Sequence, residues 1–178
     1  HRFFHNQLQI NGGKMDKFAV YNDSKGLAMG YYNTEKLPLY PMAQKYTLCD
    51  NFFQSVYGGS YFNHVYMISA AVPVWPDAPK SMIAKVDADG KMIEDGIVTP
   101  DGYVVNHVLS RNKPYPPKSD TSKLLPSQTM PTIGDKLSEK NISWAWYSEG
   151  WDDAVAGKKN NFAYNHEPFL YFAQYEEG

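Results

Sequence analysis

Apolar positions along the chain change period several times, and each change marks an element. Met15, Phe18 and Ala19 recur at three- and four-residue steps, which predicts a short helix packed on one face. Leu39, Met42, Ala43 and Tyr46 repeat that spacing inside Leu37 to Tyr46. Cys49 to Val56 reads as a strand followed by a loop. Tyr61 to Ala71 is a largely apolar helical run that Pro73 ends. From Met82 the period shortens: Ile83, Lys85 and Val86, then Asp89-Gly90, then Met92 and Ile93 predict a β-hairpin closed by an Asp-Gly turn. Tyr103 to Val108 and Ile142 to Tyr147 predict further strands, the second the cleaner. Thr132 to Lys140 predicts a helix with Ile133 and Leu137 on one side. Another starts at Asp152-Asp153, and the last runs from Glu167 to Tyr175 with Pro168 in its first turn. Asn112 to Gln128 carries four prolines and reads as surface loop. Helices alternate with strands, nothing repeats, and no linker divides residues 1–178. The pattern predicts one domain of the α/β class.

Composition narrows the function. The 17 basic and 19 acidic side chains give a net charge of −2, which argues against a basic nucleic-acid platform. With 43% apolar and 20% charged residues, the chain can bury a core. No apolar run approaches the roughly 20 residues that a transmembrane helix needs. Cys49, the only cysteine, excludes an internal disulfide and a cysteine-based zinc site, and leaves the redox compartment open. Aromatics reach 15%, a weak pointer to an exported, ligand-handling protein.

The sharpest local signal is Gly58-Gly59-Ser60-Tyr61-Phe62-Asn63-His64. Glycines let the backbone turn tightly and approach a ligand, and a serine opening a helix meets free backbone N–H groups and the positive end of the dipole. That environment favours an anion, phosphate above all. Ser60 could act there as a nucleophile whose developing charge the same terminus stabilises, with Asn63 one turn on donating to a phosphoryl oxygen. On the pattern alone, a plain N-cap serine is the more ordinary reading. The segment is neither a G-x-S-x-G elbow nor a Walker loop. His5 and His166 sit in polar, turn-flanked contexts suited to a phosphate ligand or a leaving-group acid, whereas His107 reads as a structural histidine. Asp152-Asp153 could suggest a metal, but adjacent helical residues point about 100° apart and acids favour a first helical turn. Asp87, Asp89, Glu94 and Asp95 around the hairpin lack the pattern of a calcium loop. Trp75, Trp144, Trp146 and Trp151 could line a pocket for a sugar or a quaternary ammonium group, but Trp144 and Trp146 share one face of the expected strand, which favours core packing for at least those two.

Taken in order, the segments His5 to Phe18, Leu37 to Phe53, Gly58 to His64, Ala88 to Gly102, Gln128 to Leu137, Ser143 to Ala154 and Asn165 to Phe172 resemble a bacterial phosphoesterase family. That family holds phosphocholine-preferring phospholipases C and acid phosphatases, and belongs to the alkaline phosphatase superfamily. The resemblance implies a three-layer αβα fold and metal-dependent phosphoryl transfer. It gives Ser60 the roles of nucleophile and metal ligand through a phosphoryl-enzyme intermediate. Asn63 would orient a non-bridging oxygen, His5 and His166 would contact phosphate or protonate the leaving group, and Gly59, His64 and Asn165 would border the substrate. Substrates would be phosphate esters or phospholipids, and export to the periplasm or beyond the cell is implied.

Departures from the family pattern shape the expectation. An acidic-Asn metal pair and a downstream Asp motif are absent from the sequence, so the other ligands of a divalent ion are expected outside this chain, which reads as a central segment. His64 stands where the phospholipase branch has Arg, a tilt toward the acid-phosphatase side. The rival expectation is a non-catalytic domain whose aromatic pocket binds a sugar or choline group.

Overall fold

The computed structural model describes residues 1–158 and 161–176. Helix α1 (Phe3–Ile10) ends on Asn11 in the left-handed region, φ 47°, and Gly12 and Gly13 continue with φ of 64° and 92°. Asn and Gly tolerate that backbone, which explains the Asn-Gly-Gly run. Helix α2 (Phe18–Tyr21) and helix α3 (Tyr40–Lys45) follow, shorter than their apolar spacing predicts. Residues 11–60 contain no buried side chain. Leu27, Tyr31, Tyr32, Phe52 and Phe53 are each more than four-fifths exposed. The strand expected from Cys49 to Val56 is absent, because among the described residues no neighbour pairs with its backbone.

Helix α4 (Ser60–Ser69) is the centre of the packing. Tyr61, Phe62, Val65 and Ile68 form its buried face at helical spacing. It ends on Ala70 in the left-handed region, whose N–H bonds to Tyr66, three residues before Pro73. Against that face lie Val98, Val104, Val108, Leu125, Tyr171 and Phe172. The Tyr61 and Tyr171 rings meet edge to face at 5.0 Å.

The hairpin is as the sequence predicts. Strands β1 (Lys85–Val86) and β2 (Met92–Glu94) pair antiparallel, with Lys85 opposite Glu94 and Gly90 at φ 78° in the turn. Asp87 serves that turn, its carboxylate accepting from the N–H groups of Asp89 and Lys91. This is the only sheet among the described residues, so helix and strand are mixed but the three-layer arrangement is not seen among them. Tyr103 and Val104 make only single bridges, to Val74 and Val98. Ile142 to Tyr147 forms no ladder; instead Trp144 and Trp146 pack their rings on Phe169 at 5.1 and 5.4 Å.

Helix α5 (Ile133–Glu139) carries a capping box, in which Thr132 and Asp135 satisfy each other's backbone N–H. Ile133 is half exposed and Leu137 only partly covered. The packed position is Gly134, where an added Cβ would collide with the Trp144 ring. Helix α6 (Trp151–Val155) begins as expected at the paired aspartates, and Asp153 takes an exposed ion pair with Lys158. The predicted last helix is two 3-10 turns, Pro168–Tyr171 and Ala173–Tyr175. Phe172 between them is extended and bridges to Gln128. That bridge also corrects the surface-loop reading of Asn112 to Gln128: Leu124, Leu125, Asn112 and Gln128 are buried. The Gln128 amide ties the segment to Val74, accepting from its N–H at 2.8 Å and donating to its carbonyl at 3.1 Å. Among the described residues no helix is long and apolar enough to cross a membrane.

Candidate active site

Gly58 and Gly59 bring the chain to α4, and steric room explains both. A Cβ on Gly58 would lie 2.8 Å from the Phe62 ring, and one on Gly59 would lie 3.0 Å from the His1 carbonyl oxygen. Gly59 occupies the N-cap position, so Ser60 is the first helical residue and makes no capping bond. Its exposed hydroxyl instead lies 3.0 Å from His166 Nε2. The 3-10 turn Tyr164–His166 packs on α4 and carries that histidine across 106 residues of sequence.

His64 completes the arrangement. One turn along α4, its ring stacks on that of His166 with centroids 4.7 Å apart and planes 10° from parallel. His64 Nδ1 stands 2.7 Å from the Ser60 carbonyl oxygen. A carbonyl only accepts, so Nδ1 carries the proton, and the ring that backs His166 is held in one tautomer. Asn63 turns toward the loop: its amide nitrogen donates to the Gly59 carbonyl at 3.2 Å and more weakly to Gly58 at 3.4 Å. That contact braces the turn in front of Ser60.

A cavity of about 210 Å³ opens at this helix start, lined by Gly59, Ser60, Asn165, His1, Arg2, Asn106 and His107 among others. Of the residues singled out by sequence, Ser60, Gly59 and Asn165 border it. His166 and His64 stand beside Ser60. His5 does not line the cavity; it faces the Asp95 carboxylate at 3.5 Å. His1, Arg2 and Asn106 carry no signal in the sequence, and His107, which reads there as structural, also lines the cavity. His1 and His5 are four residues apart, but α1 begins at Phe3, so the two do not share a helical face. His107 looked like a strand residue, and only tertiary folding shows that it borders Ser60.

Burial, with the charges of His166 and Arg2 after it, holds the His107 imidazole below its ordinary range. Tyr61 also contributes to the wall. Burial, and then the neighbouring Tyr171, push its phenol well up, and its Oη has no hydrogen-bond partner among the described residues. Ser60, Tyr61 and Phe62 open α4 ahead of its first backbone bond, from Asn63 N–H to the Gly59 carbonyl. Among the described residues these three N–H groups take no partner, and a helix start of this kind suits an incoming anion.

Metal-ligating side chains do not converge here: among the described residues no three of His, Cys, Asp and Glu come together. These residues alone do not fit a divalent ion. Asp152 and Asp153 stay apart from Ser60 in the first turn of α6.

A second cavity, of about 310 Å³, is lined by Trp144, Trp146, Trp151, Phe169 and the buried carboxylate of Glu167. Glu167 accepts from Trp146 Nε1 at 2.9 Å and from the Ser148 hydroxyl at 2.5 Å. Three of the four tryptophans therefore share one pocket, while Trp75 lines a different one. Compared with known protein families, residues 1–177 match the model described as the Phosphoesterase family.

Proposed function

Because the chain belongs to the Phosphoesterase family, whose reaction is hydrolysis of phosphate esters, we propose that Ser60 is the nucleophile of that reaction. The observation that supports this reading is the 3.0 Å approach of Ser60 Oγ to His166 Nε2 at the start of a ten-residue helix. His166 accepts the hydroxyl proton as the Oγ–P bond forms and the bond from phosphorus to the alcohol oxygen breaks. The departing oxygen takes a proton from solvent. Water then attacks phosphorus and gives up a proton to solvent, the Oγ–P bond breaks, and His166 returns its proton to Oγ. The free N–H groups at the start of α4 meet the phosphoryl oxygens, which carry the charge throughout.

His64 holds the His166 ring by stacking, and Asn63 holds the glycine turn. The resemblance would add a divalent ion held in part by Ser60, with its other ligands outside this chain, and a three-layer domain around this segment. An acid-phosphatase or phospholipase C type of substrate and an exported location belong to the same proposal.

Ser60→Ala is expected to lower turnover of a chromogenic phosphate ester by about 10⁴-fold or more, and His166→Ala by about 10²- to 10⁴-fold. Acid quenching of the native protein with substrate is expected to trap phosphoserine at position 60. Near-native turnover by Ser60→Ala refutes the nucleophile assignment. The aromatic cavity favours a second reading, a binding domain for a sugar or an ammonium group. That reading expects saturable quenching of tryptophan fluorescence that Ser60→Ala leaves unchanged.

A further inference from the structure

Arg2 stands in the wall of the Ser60 cavity with a guanidinium that is fixed but not used up. Its Nε donates to the Asp95 carboxylate and one Nη2 hydrogen donates to the Gly96 carbonyl at 3.2 Å. These two bonds occupy the side of the fork that Nε and Nη2 share. Nη1 and the second Nη2 hydrogen take no partner among the described residues. A guanidinium has five N–H donors in a planar fork, so three remain, two of them parallel along its outer edge. Parallel N–H groups fit two oxygens of one phosphoryl group, and such charge-assisted pairs are among the stronger hydrogen bonds.

The neighbourhood is organised to hold that fork. Asp95 takes the Gly96 N–H at 2.8 Å on its other oxygen. Buried Asn106 donates to the Gly96 carbonyl at 2.6 Å and accepts from the Phe3 N–H at 2.9 Å, which ties the start of α1 to the turn after β2. Asp95 thus positions Arg2, and Asn106 positions the segments that carry both.

We infer that Arg2 is a phosphate-binding residue of this site, that Asp95 orients it, and that the pair favours dianionic monoesters over monoanionic diesters. The inference rests on the assignment of Ser60 as the reacting group. A monoester presents three terminal oxygens and two charges to the cavity, so two can meet the Arg2 fork while the third faces the N–H groups of α4. A diester has two terminal oxygens for both, and one charge.

The test is the affinity of the full chain for inorganic phosphate, read by calorimetry, beside steady-state turnover of 4-nitrophenyl phosphate and bis(4-nitrophenyl) phosphate. Arg2→Gln is expected to weaken phosphate binding about tenfold or more. It is also expected to raise KM for the monoester by a similar factor, with a much smaller change for the diester and little change in kcat. Asp95→Asn is expected to lose part of the same preference while keeping its thermal unfolding midpoint within a few degrees. Should Arg2→Gln fail to fold, Arg2→Lys keeps the charge without the fork and is expected to lose the preference. Native phosphate affinity in Arg2→Gln, or in Arg2→Lys, overturns the inference, as does an equal loss for both esters. Ser60→Ala is measured alongside. Phosphate binding needs no turnover, so failure of the nucleophile assignment appears in that variant and failure of the Arg2 assignment in the others.

Discussion

Two buried tyrosines on the same core illustrate how much a single hydroxyl decides. Tyr171 Oη donates to the Val108 carbonyl at 2.7 Å, whereas Tyr61 Oη, equally enclosed, has no partner among the described residues. Tyr171→Phe is expected to cost about 1 kcal/mol, while Tyr61→Phe is expected to be neutral or stabilising because it removes an unpaired polar group. Denaturant unfolding of the two variants checks the contrast, and an equal loss in both contradicts it. His107 supplies a pH dependence. Its folded-state affinity for protons is depressed below the ordinary 6.5, first by burial and then by His166 and Arg2. The unfolded chain therefore binds the proton more readily, and the His107 contribution is complete above about pH 6.5 and lost as pH falls through the lower folded value. His107→Gln is expected to flatten that part of a plot of unfolding midpoint against pH. Glycine spacing and polar context are local signals, so the sequence marks Ser60 and His166 as candidates, and the fold places them 3.0 Å apart. The sequence carries no signal for Arg2 or His1 and makes His107 a structural histidine, because their place beside Ser60 is set only by tertiary folding.

Elements here are held by caps and packing more than by periodicity. Helix α5 shows the balance, since its buried position is Gly134 and its isoleucine points outward. Burial raises the Asp135 carboxyl, but hydrogen bonds from Thr132, Gln174 and Tyr175 outweigh it and leave the group below its usual range. Asp135 thereby joins the helix start to the last 3-10 turn. Thr132→Ala removes the hydroxyl that accepts the Asp135 N–H and that lies 2.5 Å from Tyr175 Oη. It is expected to lower stability by about 1–2 kcal/mol, measurable as a shift in denaturant midpoint at unchanged slope. The helices around Ser60 and Thr132 are legible because start signals and apolar spacing agree there. Expected strands at Cys49 to Val56 and Ile142 to Tyr147 fail for a common reason: β-propensity specifies a side chain suited to a sheet, but a strand also needs a neighbour. Trp144 and Trp146 satisfy themselves against Phe169 instead.

At the scale of the molecule, α4 organises everything that follows it. Its buried face meets the 3-10 turn Pro168–Tyr171, and its first residue meets His166 from the turn before. The hydrophobic effect that fixes Val65 and Tyr171 therefore also sets the distance from Ser60 to its partner. The mixed helix and strand class was readable from alternating periods; the arrangement was not, because bridges such as Gln128 with Phe172 join segments no local pattern connects. Residues 22–55 stand outside this core: none of their side chains is buried or packed on it, and Tyr31, Tyr32, Phe52 and Phe53 lie in solvent. Backbone so weakly anchored opens at little cost, which makes it the place where a protease enters first. Chymotrypsin is expected to cut after Tyr31, Tyr32, Phe52 or Phe53 well before any site between Val98 and Tyr171, and early cuts in that core would contradict this. Such a cut divides the site unevenly: Ser60 and His166 leave together on the larger fragment, and Arg2 departs with the smaller one.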